Sequence, residues 1–326
     1  MTRPKVLITR KIFDEAIAIV RQHFEVEDNQ DDAPFSPEDL IERLQGKAGA
    51  IILLTDRIDE SVLSRCPDLK IVCNIAVGYN NIDVGACTRH KVMVTNTPGV
   101  LDDTTADLTW ALLLATARRV VEADQFLRSL KWTGWKLMEF LGCDVHHKTL
   151  GICGLGRIGQ RVAQRANGFN MKILYTDVVR ATPSVEQELG ARFSDKKTLL
   201  TESDFVTLHV PLGPQTTHYI AKPELALMKP SAILINASRG PVVDEKALVQ
   251  ALKEGKIGGA GLDVYEREPE VEPELLQMKH VVLVPHIASA SHETRLRMAT
   301  MAAENLVTGL TGKRPPNLVN EEVLSL

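Results

Sequence analysis

The stretch Gly154-Leu155-Gly156-Arg157-Ile158-Gly159 decides the fold, because its glycines have the spacing of a dinucleotide-binding turn. It follows a predicted strand at 149–153 and opens a predicted helix at 157–167. The first glycine permits the tight turn, the second lets a pyrophosphate approach the backbone, and the third lets helix and strand pack closely. The N–H groups at the start of the helix then face the phosphates. A glycine turn without a ligand is the alternative, and the flanking strand and helix count against it.

The choice of cofactor is predicted from Asp177, which ends the next predicted strand, 172–176, about 20 residues beyond the turn. A carboxylate at that place accepts hydrogen bonds from the ribose hydroxyls and repels a 2′-phosphate, which favours NAD over NADP. Arg180, three residues after Asp177, leaves NADP as an alternative. Its cation can either bind a 2′-phosphate or remain solvated. We therefore predict NAD, with NADP as the alternative.

Outward from the turn, short apolar runs alternate with helical patterns along the chain. Runs that are apolar throughout indicate strands buried on both faces, and their alternation with helices indicates parallel sheets. The first series of runs begins at Val6, Ala50, Ile71 and Val92, and the second begins at Leu150, Ile173, Phe205, Ala232 and Val281. The sequence predicts an α/β protein with two doubly wound parallel sheets, one flavodoxin-like and one of the Rossmann type.

Two domains are predicted from the length of 326 residues and the mid-chain position of the fingerprint. Residues 1–100, completed by a C-terminal helix within 290–326, are expected to form the substrate-binding domain. Residues 101–289 are expected to form the NAD(P)-binding Rossmann domain. Small ligands bind in clefts between such domains, so we expect the cleft to close on substrate and exclude water. The chain ends soon after its last helix, so no appended regulatory domain is expected.

The segment 101–148 separates the two series of strands. Its first part, Leu101 to Leu130, consists almost wholly of helix formers and is predicted to be one long helix that is buried or lies at a subunit interface. The part that follows carries Trp132 and Trp135 without clear periodicity. An arm at an interface is favoured over a plain linker, because tryptophan is enriched at interfaces. We therefore predict a homodimer formed through the 101–148 arm.

Composition and charge exclude several classes of protein. Lys plus Arg number 38 and Asp plus Glu number 42, a formal net charge of −4 that argues against nucleic acid or an anionic membrane as partner. The chain has five cysteines, an odd number, and no two of them have C-x-x-C spacing. Neither a disulfide framework nor a structural metal site is therefore expected. No stretch resembles a signal peptide or approaches the ~18 apolar residues of a membrane span, so a cytoplasmic protein is expected.

Three charged residues that each follow a predicted strand have the properties needed to reduce a 2-oxo acid. The reaction requires a cation for the carboxylate and carbonyl, a proton donor, and a group that keeps the donor protonated. Arg239, His286 and Glu268 supply these three types. Taken singly, each has an ordinary explanation as a surface ion pair, a polar strand end or a loop acid. Their joint occurrence at strand ends after the fingerprint favours catalysis.

These segments resemble the D-isomer-specific 2-hydroxyacid dehydrogenase family over nearly the whole chain. The resemblance is carried by motifs at 76–83, 96–99, 154–159, 236–240, 261–269 and 285–289. Within the family the chain is most similar to glyoxylate/hydroxypyruvate reductases, including those acting on 2-ketogluconate, and Trp132 to Lys136 is the best indication of that subgroup. The resemblance implies reduction of a small 2-oxo acid, with glyoxylate giving glycolate or hydroxypyruvate giving D-glycerate.

The resemblance also implies a role for individual residues. His286 is the acid–base, Glu268 pairs with it and favours the imidazolium, and Arg239 binds the substrate carboxylate and carbonyl. The backbone N–H groups of Val77 and Gly78 hold the same carboxylate. Leu54 contributes to specificity, and Trp135 of a neighbouring subunit caps the pocket, with packing inside the arm as the alternative. The implied cofactor contacts are Thr105, Gly154, Gly156, Arg157, Ile158, Gly159, Asp177, Val210, Pro211, Ala237, Ser238, Arg239, Asp263, His286 and Ala288. Several reductases of the subgroup lack an acid at the place of Asp177 and use NADPH, which puts the choice of cofactor, not the chemistry, in question.

The sequence lacks the motifs of two other classes of dehydrogenase and leaves two alternative functions. A short-chain dehydrogenase needs Tyr-x-x-x-Lys, which none of the four tyrosines provides, and a zinc alcohol dehydrogenase needs a Cys/His ligand set. A non-enzymatic nicotinamide-sensing module of the corepressor type is the alternative from a different class. Activity on a phosphorylated 2-hydroxy acid, as in phosphoglycerate dehydrogenase, is the alternative within the same class.

Overall fold

The computed structural model describes residues 3–325 and divides into two compact units. Unit 1 comprises Met1–Leu101 and Ala290–Leu326, and unit 2 comprises Asp102–Ser289. Each unit contains one sheet, and every pairing between neighbouring strands is parallel. The α/β class with two parallel sheets, predicted from the apolar runs, is confirmed.

The strands are β1 Lys5–Ile8, β2 Glu25–Asp28, β3 Gly49–Ile52, β4 Ile71–Asn74, β5 Met93–Thr95, β6 Thr149–Cys153, β7 Lys172–Thr176, β8 Ala191–Phe193, β9 Phe205–Leu208, β10 Ile233–Asn236, β11 Gly259–Leu262 and β12 Val281–Leu283. The α-helices are α1 Asp14–Arg21, α2 Pro37–Leu44, α3 Glu60–Leu63, α4 Val84–Arg89, α5 Asp102–Ala117, α6 Val120–Arg128, α7 Arg157–Ala166, α8 Pro183–Leu189, α9 Lys196–Glu202, α10 Lys222–Leu225, α11 Glu245–Lys253 and α12 His292–Leu310.

The sheet of unit 1 has the order β2-β1-β3-β4-β5, which is the flavodoxin-like arrangement. Successive side chains of a strand point to opposite faces, so β1 contributes to two separate cores. Val6 and Ile8 pack with α1 and α12, whereas Leu7 packs with α2 and α3. Helix α12 is capped by Ser291, whose hydroxyl accepts a hydrogen bond from Thr294 N at 3.1 Å.

The sheet of unit 2 has the order β12-β11-β10-β9-β6-β7-β8, a Rossmann arrangement extended by one strand. Helices α5 and α7 cover one face, where Leu113 and Val162 pack on Ile152. Helices α9 to α11 cover the other face, where Leu248 packs with Leu234. The order of the strands along the chain reverses between β6 and β9, and the carboxyl ends of strands at such a switch point are where open α/β sheets bind ligands.

The single helix predicted from Leu101 to Leu130 is wrong, because the structure has α5 and α6 with a break between them. Arg119 adopts a left-handed φ of 53°, which an α-helix does not accommodate. The carbonyl of Ala117 accepts a hydrogen bond from Cys143 N at 2.9 Å, so a later segment satisfies the end of α5. Helix α5 buries half of its residues, whereas α6 buries none. Within residues 3–325, no helix is both long enough and apolar enough to cross a bilayer.

Candidate active site

The residues predicted to bind cofactor or react lie after the carboxyl ends of six strands of unit 2. Gly154 follows β6, Asp177 follows β7, and Val210 and Pro211 follow β9 closely. Ala237, Ser238 and Arg239 follow β10, Asp263 follows β11, and His286 and Ala288 come shortly after β12. Because all these strands are parallel neighbours, their carboxyl ends share one edge of the sheet. The structure therefore brings these residues to one edge of the sheet.

The turn at Gly154 is shaped by backbone contacts that only glycine permits. Gly154 has a φ of 94°, and a Cβ there would lie 2.8 Å from the His209 backbone. A Cβ at Gly159 would lie 2.1 Å from the carbonyl oxygen of Gly154. A Cβ at Gly156 would meet nothing within 4 Å, and Gly156 provides no side-chain cap for α7, which begins at Arg157. The first turn of α7 therefore adjoins open space, as a bound pyrophosphate requires.

The carboxylate of Asp177 is bonded to this turn. Its Oδ2 accepts a hydrogen bond from Leu155 N at 2.7 Å, and its Oδ1 accepts one from Val178 N at 2.7 Å. Each carboxylate oxygen has a second lone pair, so the group retains capacity for the hydroxyls of a ribose. Arg180, the residue that made NADP an alternative cofactor, makes two hydrogen bonds to Glu186, at 2.8 and 2.9 Å. Its charge is therefore already paired inside the chain.

The segment after β9 contains His209, which the sequence did not single out. Its ring nitrogen Nε2 lies 2.9 Å from Thr207 Oγ1, and burial lowers the pKa of His209 to about 3. The histidine is therefore neutral at physiological pH. Its backbone N donates to Cys153 O at 2.8 Å and thereby fixes the segment leading to Val210 and Pro211 beside the glycine turn.

His286 and Glu268 form the central pair of the site. His286 Nδ1 lies 2.8 Å from Glu268 Oε2, and the other carboxylate oxygen accepts a hydrogen bond from Tyr265 N at 3.1 Å. Burial by itself raises the pKa of Glu268, but the contact with His286, the Tyr265 N–H and the charge of Arg239 outweigh it, so that the net pKa lies below its ordinary value. Glu268 is thus ionised at neutral pH. A carboxylate on one ring nitrogen leaves the other, Nε2, as the group that exchanges a proton.

His286 owes its position to the strand ends beside it. Its φ of 52° lies in the left-handed region, which is uncommon for a residue with a side chain and clusters at functional sites. Its backbone N donates to Asp263 O at 2.8 Å. The Asp263 carboxylate, fully buried, accepts hydrogen bonds from Ile287 N at 2.6 Å and Ala288 N at 2.9 Å. Burial raises the pKa of Asp263 above its ordinary value. In this structure, Asp263 therefore holds the segment that carries His286.

Arg239 is a half-buried cation without an ion-pair partner among residues 3–325. Burial lowers its pKa, and the carboxylates of Glu268 and Asp263 oppose that shift. Its backbone is fixed by Asn236, whose Nδ2 donates to Arg239 O at 3.0 Å. A desolvated guanidinium with no carboxylate of its own can bind an incoming carboxylate through two parallel hydrogen bonds.

A cluster of carboxylates that the sequence did not indicate joins the loops of Arg239 and Glu268. Glu266 N donates to Glu245 Oε2 at 2.8 Å, and Glu245 N donates in return to Glu266 Oε2 at 3.1 Å. The remaining oxygen of Glu266 lies 2.8 Å from His218 Nε2. Gly240 approaches the same loop so closely that a Cβ would lie 1.8 Å from Tyr265 O. These contacts form the physical connection between the segments of the two charged residues.

The other predicted residues lie elsewhere in the chain. Leu54, Val77 and Gly78 belong to unit 1, in the loops after β3 and β4. Thr105 is buried in α5 of unit 2. Trp135 lies in the arm after α6 with 79% of its surface exposed. Their roles towards substrate or cofactor stay predictions.

Known proteins are similar to this chain in both sequence and fold. Residues 110–288 match the model of the D-isomer specific 2-hydroxyacid dehydrogenase family, NAD binding domain. The glyoxylate reductases of Thermococcus litoralis and Korarchaeum cryptofilum are 51% and 53% identical to this chain, each over 99% of this chain and 98% of the relative. The structure is similar to that of the NADPH-dependent glyoxylate/hydroxypyruvate reductase of Sinorhizobium meliloti in complex with NADP and malonate, with a TM-score of 0.87 and 31% identity over 99% of this chain and 98% of the other.

These matches confirm the resemblance carried by the motifs. They also confirm a nicotinamide dinucleotide as the class of cofactor, since the matched model is an NAD-binding domain. The model covers more than half of the chain, and the relatives cover nearly all of it. The chain belongs to the D-isomer specific 2-hydroxyacid dehydrogenase family and is an oxidoreductase of that family.

Proposed function

We propose that this protein reduces a small 2-oxo acid with NADH or NADPH, converting glyoxylate to glycolate and hydroxypyruvate to D-glycerate. The observation that carries the proposal is the His286–Glu268 pair at 2.8 Å, within electrostatic reach of the unpaired cation of Arg239 at the carboxyl edge of a dinucleotide-binding sheet. Full-length similarity to glyoxylate reductases supports the choice of substrates.

The residues of the chain would act in three ways. Arg239 binds the carboxylate and polarises the carbonyl, which stabilises the negative charge that develops on oxygen. His286, protonated at Nε2, donates its proton to that oxygen. Glu268, ionised at neutral pH, orients the ring through Nδ1 and stabilises the protonated form. A bound reduced nicotinamide supplies the hydride.

The residues around the glycine turn fit a dinucleotide and favour NADH. The uncapped start of α7 at Arg157 and the open space at Gly156 would receive the pyrophosphate. Asp177 would accept from the ribose hydroxyls and repel a 2′-phosphate. Arg180, paired with Glu186, offers less attraction to such a phosphate than a free cation would. We therefore propose NADH as the preferred donor, although the Sinorhizobium meliloti reductase is NADPH-dependent.

A single panel of assays tests the activity. We expect oxidation of NADH, followed by absorbance, with glyoxylate and hydroxypyruvate, and weaker activity with 2-ketogluconate and pyruvate. Phosphohydroxypyruvate serves as the control for the phosphoglycerate dehydrogenase alternative, which the relatives do not favour. Absence of turnover with every substrate of the panel would contradict the proposed enzyme activity. It would favour the alternative of a non-enzymatic nicotinamide-sensing module.

We also propose that the protein works as a homodimer through the 101–148 arm. Large apolar side chains are exposed along it, among them Leu130, Leu137 and Met138, which are 71–90% exposed. Together with Trp132 and Trp135 they form a contiguous segment of the kind that proteins cover with a partner. The proposal includes capping of the substrate pocket by Trp135 of the second subunit.

Mixing two inactive variants tests both parts of this proposal. His286→Asn lacks the proton donor, and Trp135→Ala lacks the cap. In an equal mixture of exchanging dimers, each heterodimer contains one site with an intact His286 and an intact partner tryptophan, so about one quarter of all sites become complete. We expect activity above that of either variant. Light scattering that gives the mass of one chain, or a mixture no more active than the average of its parts, would contradict the proposal.

A further inference from the structure

The loop after β4 in unit 1 is held by three successive carbonyl groups. Ala76 O accepts a hydrogen bond from Thr97 N at 2.9 Å. Val77 O accepts one from Asn96 Nδ2 at 2.8 Å, and Gly78 O accepts one from Asn74 Nδ2 at 2.9 Å. Each bond fixes the plane of the peptide group to which the carbonyl belongs, so the orientation of this loop is set one peptide at a time.

The planes of these peptides determine where the N–H groups point. The peptides are planar and trans, since the cis bond found among residues 3–325 is Glu268-Pro269, and in a trans peptide the N–H points opposite to the C=O. The Val77 N–H therefore points away from Thr97, and the Gly78 N–H points away from Asn96. Two adjacent N–H groups on the side opposite the tethers form a cradle for a negatively charged group.

The tethering side chains are themselves fixed by other hydrogen bonds. Asn74 is fully buried, and its Nδ2 also lies 3.3 Å from Asn81 Oδ1. Asn81 Nδ2 donates to Leu53 O at 3.2 Å and Asp56 O at 2.9 Å, which connects the cradle to the loop after β3. A buried amide that rotated out of this network would leave polar groups without hydrogen-bond partners, which disfavours the rotation.

Asn96 is held in turn by the C-terminal segment of the same unit. Its carbonyl oxygen accepts from Asn305 Nδ2 of α12 at 3.4 Å, and its backbone N donates to Asn317 O at 3.4 Å. Asn305 is 1% exposed. The last helix of the chain thus supports the amide that sets the peptide plane between Val77 and Gly78.

We propose that Asn96 is a positioning residue for binding of the substrate carboxylate, in a loop that Asn74 also supports. Asn96 aims the Gly78 N–H by holding the Val77 carbonyl on the opposite side, and Thr97 N does the same for the Val77 N–H by holding the Ala76 carbonyl. Asn74 holds the next carbonyl, that of Gly78, and so fixes the end of the same loop. The inference rests on the proposed function for the identity of the anion, a 2-oxo carboxylate. Neither asparagine touches the substrate, so both act through the backbone.

The test replaces the donor of Asn96 without changing its shape. In Asn96→Asp a carboxylate faces the carbonyl of Val77, and their repulsion turns the peptide and misdirects the Gly78 N–H. We expect malonate to bind roughly tenfold more weakly to the NADH-loaded protein, by calorimetry, since one charge-assisted hydrogen bond is impaired. The KM for glyoxylate should rise by the same factor, while kcat and the dissociation constant of NADH stay unchanged. Lowering the pH should restore the affinity relative to wild type, because the protonated side chain donates again.

Two further variants separate positioning from loss of structure. Asn96→Ser removes the donor without adding a charge and serves if the aspartate variant does not fold. Asn29→Ala is the control, because Asn29 Nδ2 also donates to backbone carbonyls of unit 1, those of Thr9 at 3.1 Å and Ala33 at 2.8 Å. It should leave malonate binding unchanged. Unchanged malonate affinity in folded Asn96 variants, or an equal loss of malonate and NADH affinity, would overturn the inference. Wild-type protein that binds malonate but reduces no 2-oxo acid would instead contradict the proposed function, and the affinities of the variants would still decide the role of Asn96.

Discussion

Units 1 and 2 contribute different kinds of chemical group to the proposed reaction. Unit 2 contributes charged side chains that follow strands, with His286 and Glu268 joined at 2.8 Å and Arg239 unpaired among the described residues. In the proposed reaction, unit 1 would contribute uncharged backbone groups, the N–H groups of Val77 and Gly78, which are aimed by the bonds of Thr97 N and Asn96 Nδ2 to the carbonyls behind them. In unit 2 the reacting atoms stand at the ends of side chains, whereas in unit 1 they are part of the main chain.

This difference has a consequence for how each unit responds to substitution. Removing a side chain in unit 2 deletes the reacting group, so the effect falls on the chemical step. No substitution other than proline deletes a backbone N–H, which otherwise responds when its support is altered. Substitutions in unit 1 should therefore change the binding of the anion and leave the chemistry unaltered. Kinetic constants that separate binding from chemistry test this difference between the two units.

The largest effect is expected for His286→Asn. Asparagine tolerates the left-handed backbone at this position better than most residues, so the loop should keep its shape. Without the proton donor, we expect kcat to fall by roughly 10²–10⁴-fold, with little change in the KM for glyoxylate or in the binding of NADH. Steady-state kinetics and calorimetry provide the measurement. A kcat within a few-fold of wild type would remove His286 from the mechanism.

A smaller effect, divided between binding and chemistry, is expected for Arg239→Gln. The guanidinium binds the carboxylate and stabilises the developing charge, so both the KM and kcat should deteriorate. We expect kcat/KM to fall by roughly a hundredfold or more, as when one partner of a desolvated ion pair is removed. Arg267→Gln is the matched control, because Arg267 is an exposed cation paired with Glu272 at 2.7 Å. If the control lost as much activity, the assignment of Arg239 would be contradicted.

Glu268→Gln is expected to change the dependence of activity on pH. The pKa of Glu268 lies below its ordinary value, so the carboxylate is present from mildly acidic pH upward and its support of the imidazolium is lost only as the pH falls through that lowered pKa. Glutamine gives no such support at any pH. The neutral amide does not favour the cationic form of the neighbouring ring, so the variant should lose reductase activity at a lower pH than the wild type does. Superimposable pH profiles would show that Glu268 does not act through His286.

The elements that the sequence predicts correctly are those whose pattern reflects local burial. Central strands such as β6 and β10 are apolar throughout because both faces are covered. The edge strands β2 and β8 were not predicted. Strand β2 has the sequence EVED and is half exposed, since the edge of a sheet does not need apolar residues on both sides. The break at Arg119 depends on the contact of Ala117 with Cys143, which no local pattern reveals.

The same distinction applies to the candidate site. Charged residues after apolar strands were found from the sequence, because strand ends of a parallel sheet meet at one edge and charge there is unusual. Asn74, the last residue of β4, and Asn96, in the loop after β5, were not found as supports, because a single asparagine has many ordinary roles. Their contacts join residues distant in the chain, and the bond from Asn305 to Asn96 spans 209 positions. The contacts between Glu245 and Glu266 were not predicted for the same reason.

The smallest effect is expected for the choice of cofactor, because the side chain of Arg180 is 64% exposed and solvent screens its charge. Arg180 is held by Glu186, whose pKa is lowered to about 2 by hydrogen bonds from Arg180 and Tyr175. Glu186→Gln would release the cation and make it available to a 2′-phosphate beside Asp177. Because exposed ion pairs are weak, we expect the ratio of kcat/KM for NADPH to that for NADH to rise only about two- to fivefold. Glu188→Gln removes the same charge from the same helix and should leave the ratio unchanged.

The comparison of these two variants separates a local contact from a general field. If both raise the ratio equally, the negative charge of α8 repels the 2′-phosphate at long range, and the rise should vanish at high ionic strength. If only Glu186→Gln raises it, Arg180 acts as a restrained cation whose partner determines the preference. Combining Glu186→Gln with Asp177→Ala should then raise the ratio further, because one change supplies attraction and the other removes repulsion. No change of the ratio in the double variant would exclude both residues from the choice of cofactor.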